Sequence, residues 1–311
     1  MQCFNNILVY VGTEDPRNAL KRAFALAKDS DARVTLMDVI KPLPRAVGML
    51  TKIASAEELG GLLVKEREEK LRQTAEQYAD QTVKCDVIVA VGDPARKIVS
   101  RVLQADHDLV LKSADGSAGS GRSFSSVARS LLRICPCPVW ILKPEIHDGF
   151  DQVLAAIDVD AEDATHRQLN DRILELAKAV SERDKATLHI VCAWELWMEH
   201  ALRRRAGDAE VDQAVQQHEA VVRRDLDKLL APLQADGDSV QIHLHRGLAS
   251  QVIRGVAEQV QADLLVMGTV CRTGVAGFLI GNTAENLLGD VTCSVLAIKP
   301  EGFVSPVADS G

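Results

Sequence analysis

The sequence predicts an α/β protein built of two tandem domains, each a parallel β-sheet with helices on both faces. The first observation behind this prediction is an internal repeat that returns after about half of the 311-residue chain. The second is the alternation, within each half, of short apolar strands and longer helical segments, which is typical of parallel sheets with right-handed crossovers. The strands are continuously apolar, and this indicates that helices cover both faces of each sheet.

The repeat is clearest near the end of each half. Asp108 matches Asp263, 155 residues later, and Lys143 matches Lys299, 156 residues later. A period close to half the chain length indicates a tandem duplication. Chain length leads to the same prediction of two domains, since a domain usually has about 100–200 residues.

Each predicted domain contains five strands in sequence. In domain 1, placed at residues 1–146, the strands fall near 6–12, 32–40, 83–91, 107–113 and 137–143. Helices in this domain are predicted over 16–30, 57–81, 94–105 and 124–133. In domain 2, placed at residues 147–302, the strands fall near 152–158, 185–194, 238–246, 263–268 and 293–299.

Composition argues against several classes of function. The formal net charge is −8 and only 4% of residues are aromatic, so a nucleic-acid-binding surface is not expected. The basic cluster from Arg203 to Arg205 is interpreted as a solvated helix face. No apolar run reaches the roughly 18 residues needed to span a bilayer, and the first residues are typical of a strand rather than a leader peptide, so no membrane association is expected.

Cysteines and histidines provide little indication of a metal or redox centre. The seven cysteines, an odd number scattered through apolar segments, favour a reducing compartment, and we expect a cytoplasmic protein. Cys135 and Cys137 have no nearby histidine partner in sequence. His243 and His245 share one face of a predicted strand, but a zinc site needs three or four ligands. No metal site is therefore predicted.

The expected ligand crevice lies where the strand order of an open parallel sheet reverses, at the carboxyl ends of the strands. If the order is 3-2-1-4-5, this point falls between strands 1 and 4. The residues there are Gly12 and Lys112 in domain 1, and Asp158 and Gly268 in domain 2. Lys112 has two interpretations: it neutralises an acidic ligand, or its stem covers apolar surface with the amine in water, which we favour.

The segment after Gly268 has the pattern of a glycine loop followed by a helix that opens near Gly281 and Thr283. The N–H groups and dipole at a helix N-terminus favour an anion such as phosphate. Cys271 occupies a position where close approach to phosphate favours glycine, because a β-carbon in left-handed backbone costs about 1–2 kcal/mol. The alternative is that these glycines only shape a turn.

Three stretches of domain 2 resemble the universal stress protein family. They are VLAAID at 153–158, MGTVCRTGVAGFLIGNTAE at 267–285 and CSVLAIKP at 293–300. The tandem arrangement is similar to that of the E-type tandem members in bacteria. The resemblance covers nearly the whole chain and implies two Rossmann-like domains, each a five-stranded parallel sheet of order 3-2-1-4-5 with helices on both faces.

The resemblance also implies a nucleotide site in domain 2. Nucleotide-binding members carry the loop G-x2-G-x9-G-[ST] and an aspartate that ends strand 1, and Gly268, Gly281 and Asp158 fit these positions. Cys271 and Asn282 depart from the pattern. The candidate binding residues are Ile157, Asp158, Met267, Gly268, Cys271, Gly281, Asn282 and Thr283. The expected ligand is ATP or ADP, with no metal beyond nucleotide-bound magnesium.

In domain 1 nearly every position of the nucleotide pattern departs. Gly12 replaces the aspartate, Ser113 replaces the first glycine, and Ser125 and Ser126 replace the final Gly-Ser/Thr. Domain 1 is therefore expected to carry a degenerate site. The resemblance further implies that the fifth strands of the two domains pair, giving an internal pseudo-dimer, while a homodimer and the protein partners are left open.

Three functions follow from these observations. The first is a non-enzymatic stress-response protein that binds adenine nucleotide in domain 2. The second is a binder of a partly apolar, non-nucleotide molecule in a remodelled crevice, near Trp194 and Trp197, although packing is the favoured role of both tryptophans. The third is a protein-interaction scaffold with vestigial sites. Asp158 is either a ligand-binding residue or a cap of the following turn, and residues 301–311 are expected to be mobile.

Overall fold

The computed structural model describes residues 4–43, 56–78, 82–114, 124–143, 149–159, 164–235, 240–269, 284–287 and 291–307. The strands are β1 Asn6–Tyr10, β2 Arg33–Ile40, β3 Cys85–Val91, β4 Leu109–Ser113, β5 Val139–Leu142, β6 Gln152–Ile157, β7 Thr187–Trp194, β8 Val240–Arg246, β9 Leu264–Gly268 and β10 Ser294–Ile298. The helices are α1 Arg17–Ser30, α2 Ala56–Tyr78, α3 Pro94–Ala105, α4 Ser126–Ile134, α5 Ala164–Asp184, α6 Glu199–Ala206, α7 Asp208–Ala235 and α8 Ala249–Gln259.

All ten strands form one sheet, in the order β3-β2-β1-β4-β5-β10-β9-β6-β7-β8. The predicted order 3-2-1-4-5 is confirmed in both halves, and the strands within each half are parallel. The two halves meet where β5 and β10 pair antiparallel, with Trp140 opposite Leu296. Each half therefore covers an edge strand of the other, which satisfies backbone groups that an isolated domain would expose.

Helices cover both faces of the sheet, as the continuously apolar strands predicted. One apolar layer contains buried residues of α1, α2, α5 and α7. The other contains buried residues of α3, α4 and α8. At the start of α3, Asp93 accepts a hydrogen bond from the Arg96 N–H at 2.9 Å, and Pro94 occupies the first helical position. This confirms the predicted helix start and satisfies a donor that the first turn leaves without an intrahelical partner.

The sequence repeat has a structural cause at the amino ends of the central strands. Asp108, just before β4, accepts hydrogen bonds from the N–H groups of Asn5 and Asn6 at 2.6 and 3.0 Å. Asp263, just before β9, accepts two such bonds from the first residue of β6 and the residue before it, both at 2.8 Å. Matching carboxylates, Asp108 and Asp263, thus align neighbouring strands in the two halves.

A buried ion pair joins the two halves away from the strand junction. The Arg22 guanidinium on α1 donates two hydrogen bonds to the Asp184 carboxylate at the end of α5, at 2.8 and 2.7 Å. The two side chains are 6% and 2% exposed. The Phe150 N–H donates to the same carboxylate at 3.0 Å, and its ring lies 4.5 Å from the guanidinium carbon. This cluster fixes the position of α1 against α5.

The residues after β10 pack against domain 1. The Ser305 side chain is buried, and its hydroxyl donates to the Ile134 carbonyl at 2.7 Å. The expectation that residues 301–311 are mobile is therefore wrong at Ser305, whose hydrogen-bond partner lies in a distant part of the chain. Among the described residues, no helix is long and apolar enough to cross a membrane.

Candidate functional site

The carboxyl ends of β6 and β9 lie side by side in domain 2, with Ala156 paired to Met267. The structure thus places Ile157, Asp158, Met267 and Gly268 at one edge of the sheet. The Ile157 and Met267 side chains are buried in the apolar layers on opposite faces. These two residues therefore present main-chain atoms to the crevice, whereas the half-buried Asp158 brings a carboxyl group.

The main chain of Asp158 is held by a residue that the sequence did not single out. Asn170, buried on α5, accepts a hydrogen bond from the Asp158 N–H at 3.2 Å and donates to the Asp158 carbonyl at 2.7 Å. Both bonds use main-chain atoms of residue 158, so Asn170 holds this residue without using its carboxylate. An amide one residue after a core leucine of α5 was the available signal for this contact.

Gly268 is required by packing as well as by any ligand. A β-carbon at this position would lie 2.7 Å from Leu169 Cδ2 and 3.6 Å from Ile173 Cδ1. The absence of a side chain lets α5 approach β9 closely. Glycine at position 268 is therefore favoured by packing, in addition to the predicted approach of a phosphate group.

Gly268→Ala is expected to lower the free energy of unfolding by about 1–3 kcal/mol, because the added methyl group forces Leu169 to move in a close-packed layer. Gly255→Ala is the matched control. A β-carbon there meets nothing within 4 Å, and in an exposed helix interior alanine should stabilise by about 0.5–1 kcal/mol. Urea unfolding of both variants measures the difference, and equal effects would contradict the packing explanation.

The remaining candidate residues, Cys271, Gly281, Asn282 and Thr283, lie outside the described residues. Their part in the predicted nucleotide loop stays a prediction. The described part of the crevice consists of the two strand ends and the first turns of α5.

The corresponding point in domain 1 is occupied by an ion pair. Lys112 at the end of β4 is 1% exposed. Its amine donates to the Ser113 carbonyl at 2.7 Å and lies 3.5 Å from the Glu14 carboxylate. The expectation that the amine reaches water is therefore wrong. The loop after β1 folds back over it and supplies a carboxylate of the chain itself.

Gly12 is part of the same arrangement. Its φ is +59°, and a β-carbon at this position would lie 2.9 Å from the Glu14 carboxylate and 2.8 Å from the Tyr10 ring. A side chain here would thus be strained and would obstruct the approach of Glu14 to Lys112. This explains why glycine stands where the nucleotide-binding pattern has aspartate.

A second buried carboxylate lies beside this pair, at the end of β2. Burial raises the pKa of Asp38 above its ordinary value, although the Val39 N–H and the positive charge of Arg67 oppose the change. The Arg67 guanidinium is 3.2 Å from the Asp38 carboxylate. A cavity of about 430 Å³ remains between the β1–α1 loop and α2, and Glu14, Arg67 and Lys70 contribute to its wall. Charged groups of both signs thus contribute to the wall of the domain 1 crevice.

The two tryptophans considered for a ligand pocket, Trp194 and Trp197, differ in their exposure to solvent. Trp194 is buried and makes an edge contact with the His218 ring at 5.5 Å, so its predicted packing role is confirmed. Trp197 is 81% exposed, so the same prediction is wrong for it. Met198, the next residue, has left-handed backbone with a φ of +56° and directly precedes α6.

His243 and His245, which were predicted to share a face of one strand, lie in a row on β8, and His189 on β7 extends this row. His189 on β7 lies 3.0 Å from His243, ring nitrogen to ring nitrogen, and 2.7 Å from the Gln152 amide oxygen. Burial and the neighbouring His243 lower the pKa of His189. In the part of the chain that the structure describes, no group of three or more His, Cys, Asp or Glu side chains is arranged to hold a metal ion.

Comparison with known proteins agrees with this architecture. The universal stress protein family matches residues 4–143 and again residues 149–299. The chain is 28% identical over 318 residues to universal stress protein E of Escherichia coli K12, covering 99% of this chain and 98% of that one. It is 26% identical to universal stress protein E of Photorhabdus laumondii, again with 99% and 98% coverage. A Pseudomonas aeruginosa PAO1 crystal structure, described as functionally unknown, superposes with a TM-score of 0.72 at 26% identity over 99% of this chain and 96% of that one.

Two doubly wound sheets joined through their fifth strands define a tandem α/β protein of the Rossmann-like class. The chain belongs to the universal stress protein family. Its two matching domains and its similarity over nearly the whole length to proteins called universal stress protein E make it a tandem member of the E type.

Proposed function

We propose that this protein is a non-enzymatic, cytoplasmic stress-response protein that binds ATP or ADP in domain 2 only. The observation that carries the proposal is the difference between the two points where the strand order reverses. In domain 1 the buried Lys112 and the half-buried Glu14 form an ion pair at that point. In domain 2 a half-buried aspartate and a glycine stand there, at strand ends suited to a ribose and a phosphate.

Asp158 is the residue expected to contribute most to nucleotide affinity. A carboxylate at a strand end of such a sheet is suited to accept hydrogen bonds from ribose hydroxyls. Hydrogen bonds to a charged group contribute about 1.5–3 kcal/mol. The two bonds from Asn170 to the main chain of residue 158 do not involve the carboxylate, so both remain available when it is removed.

The absence of recognisable catalytic motifs supports a binding role. The full sequence contains no G-x4-G-K-[ST] or H-E-x-x-H pattern. The stress-response part of the proposal rests on the names of the relatives with nearly full-length similarity.

The test is calorimetric titration of the full chain with ATP and magnesium, paired with thermal unfolding. Asp158→Ala is expected to weaken ATP binding by about 10–100-fold, from the hydrogen bonds it removes. Asp86→Ala, which removes an exposed carboxylate from β3 in domain 1, should leave affinity unchanged. At 100 times the Kd, ATP should stabilise the wild type by about 2.7 kcal/mol.

Two outcomes would overturn the proposal. If Lys70→Ala weakened ATP binding and Asp158→Ala did not, the nucleotide would occupy the domain 1 cavity. If the wild type showed neither heat of binding nor a Tm shift at millimolar ATP, the protein-interaction scaffold would replace nucleotide binding as the proposed function.

A further inference from the structure

A cavity of about 880 Å³ lies at the junction of the two halves. Because β5 and β10 run antiparallel, the carboxyl end of β10 lies beside the amino end of β5. Four segments distant in sequence meet there: the end of α3, residues 136–138, the first turns of α5, and residues 298–303. The cavity adjoins the domain 2 crevice through Leu169, but most of its wall comes from elsewhere in the fold.

The wall of this cavity is largely apolar. Its non-polar side chains are Val102, Leu103, Pro136, Pro138, Leu169, Ile298, Pro300 and Phe303. A concave, mostly apolar site with a few polar groups is the usual form of a small-molecule site. A polar group in the wall would orient such a ligand.

Lys299 is that group. It follows β10 directly, and its amine lies 4.8 Å from the centre of the Phe303 ring. Burial lowers the pKa of Lys299 to about 8, and no carboxylate of the described residues is among the influences on it. A desolvated charge without a counter-charge costs free energy. A ligand that brings one negative charge would remove that cost.

The matched lysine in domain 1 is placed differently. Lys143 is buried, and its amine lies 4.9 Å from the Phe124 ring centre. Both halves therefore end their fifth strand with a lysine beside an aromatic ring. Lys143 lies outside the wall of the cavity, whereas Lys299 forms part of it.

The other charged and titratable groups around the cavity limit the ligand to a single negative charge. They are Asp106, His107, Asp108, Cys137, Asp171, Arg172, Glu175 and Glu301 in the wall, with Arg133 and Cys135 near the Lys299 amine. Asp106, Asp171, Glu175 and Glu301 are exposed at the rim. Arg172 is paired with Glu175 at 2.7 Å. An acidic rim around the half-buried Lys299 disfavours polyanions such as nucleoside triphosphates.

We propose that this cavity binds a small amphipathic monoanion, an apolar body carrying a single acidic group, with that group at the Lys299 amine. The apolar body lies against Leu103, Leu169 and Phe303. The site is independent of the nucleotide proposal, because it uses a different charged residue and excludes highly charged ligands.

The test is fluorescence titration of the full chain with 8-anilinonaphthalene-1-sulfonate, an aromatic monoanion. We expect one saturable site per chain, from which decanoate displaces the probe and decylamine and ATP do not. Lys299→Met, which keeps the length of the side chain, should weaken probe binding at least tenfold. Lys143→Met is the matched control and should bind as the wild type does, and unchanged Tm values show that each variant is folded.

The pH dependence separates a charge contact from simple apolar adsorption. Burial lowers the pKa of His107, and the hydrogen bond with Cys135 together with burial raises the pKa of Cys137, so neither is expected to gain or lose charge between pH 7 and 9. Binding to the wild type should weaken over this range as Lys299 loses its proton, and binding to Lys299→Met should be flat. Equal affinity of Lys299→Met and wild type, equal displacement by decylamine, or no saturable site would each overturn the proposal.

Discussion

Asp184→Ala is expected to lower the free energy of unfolding by about 3–5 kcal/mol, the range for breaking a buried ion pair. The change leaves the buried Arg22 guanidinium without its bidentate partner and also removes an acceptor from Arg183 and from the Phe150 N–H. Because this cluster joins α1 to α5, both halves should lose stability together. Urea unfolding followed by far-UV circular dichroism measures the loss.

The control for Asp184 is an exposed pair of the same types. Asp15 and Arg17 form an ion pair with side chains 52% and 74% exposed, and Asp15→Ala should cost about 1 kcal/mol or less. Equal losses at the two positions would show that burial of the Arg22–Asp184 pair has no energetic consequence.

Lowering the pH should remove the contribution of Asp184 to the free energy of unfolding. Burial by itself raises the pKa of Asp184, but the hydrogen bonds and charge of Arg22, with the Phe150 N–H and the charge of Arg183, outweigh it and hold the pKa below its ordinary value. A lowered folded pKa gives stability that is complete above the unfolded value, about 3.9, and is lost as pH falls through the folded value. The difference between wild type and Asp184→Ala should therefore be largest at pH 7 and shrink below about pH 4.

Glu14→Ala should lower the free energy of unfolding by about 2–3 kcal/mol, because it removes the carboxylate that lies 3.5 Å from the buried Lys112 amine. Lys112→Met removes that amine and keeps the volume of the side chain. In the double variant no unpaired charge remains, so the combined loss should be smaller than the sum of the two single losses by about 1–3 kcal/mol. Urea unfolding of all four proteins completes the cycle.

Additive losses in this cycle would show that Lys112 and Glu14 do not interact across Gly12. Glu175→Ala serves as the control, since its pair with Arg172 is exposed on both sides and should contribute about 1 kcal/mol or less.

The Lys112–Glu14 pair also affects the nucleotide-binding pattern of domain 1. An aspartate at position 12 would place a β-carbon 2.9 Å from the Glu14 carboxylate. Domain 1 therefore cannot regain this aspartate while Glu14 holds its place.

Local patterns accounted for the elements and their order. The repeat of Asp108 at Asp263 indicated two domains, and both residues make the same main-chain contacts in the structure. Apolar runs and the Asp93-Pro94 helix start located strands and α3 to within a few residues. These features depend on neighbours in sequence or on a period, and a single sequence contains both.

The errors concern side chains whose environment comes from distant segments. The burial of Lys112 depends on a loop that returns Glu14 to it, and the packing of Ser305 depends on Ile134 of the other half. Asn170 was overlooked because its partners are main-chain atoms, which have no sequence signature.

Residue order thus specified the duplication and the candidate positions Asp158 and Gly268 through periodicity and motif spacing, whereas the strand order of each half was implied by the family resemblance. Tertiary packing assigned the reasons for particular residues: Leu169 excludes a side chain at Gly268, and antiparallel pairing of β5 with β10 opens the cavity beside Lys299. The physical cause of this division is the distance along the sequence over which each kind of interaction acts. Backbone propensity and amphipathic pattern act over a few residues, whereas burial, charge pairing and cavity shape depend on groups that sequence separates by a hundred residues or more.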